Sequence, residues 1–277
     1  MTLQVWAAAL AVFAVLIAAD LVFTRGAEGL RAAVVLSGLW IAAAVAFGGA
    51  LWLWQGPAIA GQYFAGYLLE KALSVDNIFV FVVLFASFGL PVRLQRRVLQ
   101  LGVLGALVLR GGLIAAGGAL IEHAGWIFYV FGALVLLAGV RMFRPGAEPG
   151  GGLIARWRVR TGAPPLLAAL IAVETTDLVF ALDSIPAVFG VTRNLFVVFT
   201  SNAFAVLGLR ALYFLVAGSV QRFSFLKPAI AVLLVFIGVK MLISPLVHLP
   251  VTVTLAAIVV VAGGAAAASL WRDRSPR

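Results

Sequence analysis

Glu174-Thr175-Thr176-Asp177-Leu178-Val179-Phe180-Ala181-Leu182-Asp183 holds three carboxylates inside an apolar run that reaches from about 165 to 189. Glu70-Lys71-Ala72-Leu73-Ser74-Val75-Asp76-Asn77 holds two more inside another, from about 62 to 88. A helix needs about 20 apolar residues to cross a bilayer, and both runs have them. A charged side chain at mid-bilayer costs about 2.5–3.5 kcal/mol on insertion scales. Five acids kept at that depth point to a polar pathway through the membrane, most naturally one for cations.

The rest of the chain agrees with a membrane setting. Of its 277 residues 64% are hydrophobic and 11% charged, and mean hydropathy is +1.15. Nine apolar runs fall near 3–23, 31–54, 62–88, 98–121, 125–143, 165–189, 195–217, 228–244 and 250–271. The expected fold is an all-α polytopic membrane protein of about nine transmembrane helices, forming a single transmembrane domain over 1–277. The first run has no Lys or Arg before it, carries Asp20 and lacks a convincing cleavage site, so it reads as a retained helix. With no cysteine, thiolate metal sites, disulfides and thiol catalysis are excluded. His123 and His248 fall in short loops and read as solvated, not as metal ligands.

A net charge of +10 would suit nucleic acid, but its distribution does not. Fifteen of the 20 Lys and Arg lie in the loops or tail on one side of the nine runs, and Arg193 stands alone on the other. The remaining four, Lys71, Arg110, Arg210 and Lys240, fall within runs. This is the positive-inside pattern, and it works only for an odd number of helices. It places the N-terminus outside the cytoplasm and the C-terminus inside. The partners expected are the lipid bilayer and metal ions, with no nucleic acid. Several of the seven tryptophans lie near run ends and read as interfacial anchors.

The acidic runs also carry a repeat. Asp76-Asn77-Ile78-Phe79 matches Asp177-Leu178-Val179-Phe180 at offset 101, and Leu107-Val108-Leu109-Arg110 matches Leu207-Gly208-Leu209-Arg210 at 100. Gly139-Val140-Arg141-Met142 matches Gly238-Val239-Lys240-Met241 at 99. Aligned charges at a nearly constant offset mean that runs 3-5 repeat as runs 6-8. Three helices per copy turn the second copy upside down, as in secondary transporters with ion sites near the midplane. The expected layout is flanking helices 1-2 over 1-61, a first repeat over 62-143, a cytoplasmic linker over 144-164, a second repeat over 165-244, and the last helix with a basic tail over 245-277.

At about 100° per residue, Glu70, Ser74 and Asn77 share a helical face, and Asp76 turns toward a neighbouring helix. Glu174 and Asp177 share a face that Ala181 and Ser184 continue. Asp183 lies opposite, unless a kink at Pro186 swings it inward. Thr200-Ser201-Asn202 opens the seventh run and either lines the path, caps the helix or bonds a neighbour. Arg110 and Arg210 pair most simply with carboxylates, as does Lys71 with Glu70. Five acids against these three bases leave about two negative charges for a divalent cation, or for protons exchanged with it. The alternative is a salt-bridge network that only holds helices in register. Oxygen donors without sulfur or imidazole suit Mg2+, Ca2+ and Mn2+. The glycines of run 4 (Gly102, Gly105, Gly111, Gly112, Gly117 and Gly118) suit close helix packing.

The two acidic motifs, extended to Phe81 and Ala187, together with Thr200-Ser201-Asn202-Ala203-Phe204-Ala205 and Leu207-Gly208-Leu209-Arg210-Ala211-Leu212-Tyr213, resemble the TerC family, the tellurite-resistance-associated integral membrane proteins that include the Alx type. The resemblance spans runs 3 to 8. It implies a place in the LysE-like transporter superfamily and a link to manganese export, metal supply to secreted enzymes and pH response. Carried over, Glu70, Asp76, Glu174, Asp177 and Asp183 are the acids of the ion path, with Asn77, Ser74 and Asn202 as neutral partners. Tellurite is not an expected substrate, because carboxylates repel an oxyanion.

The expected function is a secondary transporter exporting a divalent cation, Mn2+ first and Ca2+ as the alternative, in exchange for H+. Its metal ligands are Glu70, Asp76, Asn77, Glu174, Asp177 and Asp183. Lys71, Ser74, Arg110, Ser184, Thr200, Ser201, Asn202 and Arg210 support the path. No tightly bound cofactor is expected, nor an enzyme, since no nucleophile–base pair or nucleotide loop is visible. On this reading Asp76→Asn or Asp177→Asn abolishes manganese tolerance in a protein that still folds. The rival is a non-transporting factor that assists assembly or metallation of exported proteins; on either reading a second copy of the chain, as a homo-oligomer, or the exported-protein machinery is a candidate partner.

Overall fold

The computed structural model describes residues 3–23, 29–116, 126–143, 164–222, 225–243, 246–247 and 250–274. His123, His248 and the linker stretch 144–163 lie outside them. The described elements are helices: α1 (Leu3–Phe23), α2 (Leu30–Gln55), α3 (Pro57–Ser87), α4 (Val92–Ala116), α5 (Trp126–Met142), α6 (Pro165–Phe189), α7 (Leu195–Leu207), α8 (Leu209–Arg222), α9 (Leu226–Ile243) and α10 (Val251–Arg274). α7 and α8 are parts of one apolar rod interrupted at Gly208, so the ten segments make nine rods. Five of the rods are long and apolar enough to cross a membrane: α2, α4, α6, α7 with the start of α8, and most of α10. α3 has the length, at 31 residues, but carries Glu70, Lys71 and Asp76. The outer faces are apolar, with Leu53 91%, Val108 75% and Val260 71% exposed. Such surface is stable against lipid, not water.

Local chemistry sets the joints. Gly56, at φ +87°, closes α2 by donating its N–H to the Trp52 carbonyl at 3.0 Å. Pro57 follows in the first turn of α3, where its missing N–H leaves nothing unsatisfied. Asn194 caps α7, accepting the Phe196 N–H at 3.1 Å. Thr192 Oγ1, in the turn before it, donates to Gln62 Oε1 of α3 at 2.6 Å.

The repeat is visible as packing. α5 lies against α9, its own copy: Gly132 meets Gly238 and Met241, and Gly139 meets Leu234 and Val235. α3 lies against its copy α6, with Gly66 beside Val188 at one end and Phe85 clustered with Ala168 and Ala169 at the other. Rising numbers on one helix meet falling numbers on the other, so each copy runs antiparallel to its equivalent. α3 also packs on α7, as α4 does on α6, which is the cross-pairing that exchange of the copies requires.

Several boundaries differ from the sequence reading. α3 starts at Pro57, not near 62, and α4 at Val92, not near 98, because the Pro91 carbonyl accepts from Leu94 and Gln95 and opens the helix early. Arg93, Arg96 and Arg97 therefore sit on the first turns of α4, not in a loop. Arg272 likewise belongs to α10.

The α5–α9 contact has no room for side chains. A Cβ on Gly238 would sit 2.5 Å from the Leu136 backbone nitrogen and 2.7 Å from its Cα. Gly238→Ala is expected to force the helices apart at about 1–3 kcal/mol, typical of overpacking. A lowered melting temperature in detergent, with Gly263→Ala on α10 unchanged because nothing lies within 4 Å, checks this.

Candidate functional site

Arg110, in the last third of α4, is fully buried and forms the centre of a polar knot. Its Nε donates to Asp177 Oδ2 at 2.9 Å and its Nη2 to Asp177 Oδ1 at 2.8 Å. Its Nη1 donates to Glu70 Oε1 and, at 2.9 Å, to Asn202 Oδ1. Asn202 Nδ2 closes the ring on Glu70 Oε2 at 3.0 Å. Four helices, α3, α4, α6 and α7, each contribute one member, two from each copy of the repeat. Every carboxylate oxygen here has a partner and every guanidinium nitrogen a use. The fork-to-fork geometry matches a planar cation to a planar anion.

On the side of α3 and α6 that faces Lys240, near the end of α9, lies a second cluster. Lys240 Nζ is 3.5 Å from Asp76 Oδ2 and 3.8 Å from Asp183 Oδ2. Asp76 is buried, while the Asp183 side chain is 33% exposed. The two acids and Lys240 line a small cleft with Glu70, Asn77 and Ser184. Asp76 Oδ1, Asn77 Oδ1 and Ser184 Oγ are buried without a hydrogen-bond partner. Buried polar atoms ordinarily have partners, so three orphaned oxygens around one cleft mark a place that receives something.

The other expected residues scatter. Glu174 stands on the α4 side of α6, in a slot left by Gly105, where any Cβ would overlap its carboxyl group. Both of its oxygens are buried and unpartnered. Lys71 does not pair with Glu70; its Nζ donates to the Ala205 carbonyl at 3.3 Å, beside the break at Gly208. Thr200 and Ser201 bond within their own helix: Thr200 Oγ1 donates to the Phe196 carbonyl at 2.7 Å and Ser201 Oγ to that of Val198 at 3.1 Å. A hydroxyl one turn above a carbonyl of its own helix takes that partner readily. Asn202 alone of the three reaches into the knot. Ser74 Oγ is buried and unpartnered.

Three expectations are corrected. Arg210, the repeat equivalent of Arg110, pairs with Asp20 of α1 at 2.7 Å, and Trp40 Nε1 of α2 donates to the same carboxylate at 3.3 Å. The flanking helices thus draw Arg210 away from the acids of the path. Asp177 and Asp76, expected as ligands of one site, divide between two: Asp177 shares Arg110 with Glu70, while Asp76 shares Lys240 with Asp183. The partners are crossed because Asp76 and Asp177 point to different neighbours of their own helices. Among the described residues, no three of His, Cys, Asp and Glu gather as metal ligands would.

Lys240 is the residue that sequence reasoning left unassigned. The signal was present: it falls at the repeat position of Arg141, within an apolar run, five residues before Pro245 and far from any loop charge. Arg141 itself is exposed. With Arg110 and Lys240 as the cations of the site, five acids still leave at least two negative charges unbalanced, even if Lys71 is counted.

The family model for the integral membrane protein TerC family matches residues 55–277. An uncharacterized membrane protein of Myxococcus xanthus is 42% identical over 97% of this chain and 92% of its own length. The protein of Escherichia coli (strain K12) named "Putative membrane-bound redox modulator Alx" is 42% identical over 91% of this chain and 90% of its own. An uncharacterized membrane protein of Mycobacterium bovis is 41% identical over 78% of this chain and 62% of its own. No solved structure matches. The chain is a multi-pass integral membrane protein that belongs to the TerC family.

Proposed function

We propose that this protein is a secondary transporter that carries a divalent cation, Mn2+ before Ca2+, across a bacterial inner membrane in exchange for protons. The Asp76–Asp183 cleft, where the inverted copies meet, is the observation that carries the reading. Two carboxylates, an amide oxygen and a hydroxyl oxygen, the last two unpartnered, form the kind of donor set that hard cations take. The charge left unbalanced by Arg110 and Lys240 is made up by the cation on one leg of the cycle and by protons on the other. Bare carboxylates at that depth are too costly to persist. The arginine-bearing starts of α2 and α4 face the cytoplasm on this reading, with the N-terminus outside and the C-terminus within.

A redox role is the reading that the printed name of one relative suggests. Thiol chemistry is not available for it here, since the chain has no cysteine.

Purified protein in liposomes holding a Mn2+-quenched dye is the test. A proton gradient is expected to drive Mn2+ movement, with Ca2+ competing at higher concentration. No movement of any divalent cation under either gradient direction would overturn the reading.

A further inference from the structure

Lys240 does more in the cleft than balance charge. Its ammonium lies between Asp76 and Asp183, at 3.5 and 3.8 Å, in the position from which a cation would engage both. Beside it the cleft leaves about 10 Å3 in which a water-sized sphere can be centred. That is room for one water at most, not for a metal ion keeping part of its hydration shell. The approach of a dication to both carboxylates would also bring it against the ammonium, whose side chain is only 10% exposed, and like charges repel there. Asn77 and Ser184, whose oxygens have no partner, face the same cleft and offer Lys240 no bond. They are donors in waiting for an ion that is not the ammonium.

We propose that Lys240 is a tethered counter-cation of the Asp76–Asp183 seat: its ammonium fills the seat in the empty carrier and has to swing out before a divalent cation can bind. This rests on the transport reading above. Occupation by Lys240 and by metal are then mutually exclusive. The end of α9 gives the side chain a way out, because Lys240 lies within one turn of Ile243, the last residue of that helix. The long flexible stem of lysine suits such a swing, whereas the rigid fork of arginine would hold both acids.

Equilibrium binding of Mn2+ to the full-length protein in detergent distinguishes this from a structural ion pair. If the ammonium fills the seat nine-tenths of the time, Lys240→Met is expected to bind Mn2+ about tenfold tighter, since the competent fraction scales the apparent constant. Lys240→Arg is expected to bind at least about tenfold weaker, for the same reason with the sign reversed. Methylammonium is expected to compete with Mn2+ in Lys240→Ala far more than in wild type, because a free cation then takes the vacated seat. Unchanged or weaker binding in a folded Lys240→Met overturns the proposal. Should that variant not fold, unchanged or tighter binding in Lys240→Arg overturns it instead. If wild type binds Mn2+ and only these variants fail to shift, the Lys240 role alone falls. If wild type binds no divalent cation, the transport reading falls with it.

Discussion

Arg110→Met is expected to be the most damaging single change in the protein, lowering stability by about 3–5 kcal/mol, the usual loss when one partner of a buried pair is removed. Three carboxylate oxygens and the Asn202 amide lose their donor at once. Glu70 and Asp177 are then left buried without the cation that they share. Asp177→Asn removes the charge that the Arg110 fork grips and is expected to fall in the same class, about 3 kcal/mol. This revises the expectation that Asp177→Asn spares the fold. Thermal unfolding in detergent, followed by size-exclusion fluorescence, is the measurement. An Arg110→Met protein that elutes and melts as wild type would mean that the knot is ornamental.

Asp76→Asn is expected to do the opposite: no Mn2+ movement above that of empty liposomes, in a protein that melts within about 4 °C of wild type, the shift that 1 kcal/mol produces in a chain of this size. The amide keeps the shape of the carboxylate, and Lys240 keeps Asp183 as a partner. What is lost is the buried anion of the seat. Asp183→Asn is expected to weaken transport less, because its side chain is 33% exposed and water already screens it. Transport equal to wild type in a folded Asp76→Asn protein would separate the cleft from function and leave the Glu174 slot as the remaining place for an ion.

The helices and their inverted pairing were legible because membrane spans are long and because three pairs of motifs with aligned charges keep nearly one offset. Periodicity also grouped Glu70, Ser74 and Asn77 on one face of α3. It could not say which neighbour each face meets, and that decides the chemistry. Asp76 and Asp177 are equivalent in sequence, yet one meets the ammonium of α9 and the other the guanidinium of α4. Arg110 and Arg210 are equivalent as well, but Asp20 and Trp40 exist only beside the second. A repeat read from sequence assumes equal surroundings for equal residues, and helices outside the repeat break that equality. The interruption at Gly208 was hidden for a related reason. Glycine is common in packed membrane helices, and only the Lys71 ammonium, 2.6 Å from where a Cβ would sit, reveals what this one accommodates.

The antiparallel contact of α5 with α9 has the form of an isologous interface, the self-complementary kind that two identical subunits make around a twofold axis. Here the two subunits are halves of one chain. A patch that meets its own image is touched twice by a change made in both halves. Gly139 and Gly238 hold matching positions in the two halves, and a Cβ on either would press on a backbone nitrogen of the opposing helix. Enlarging either one already opens the gap that the other needs. The double substitution should therefore cost less than the two single losses added together, a non-additivity expected of residues that share one contact.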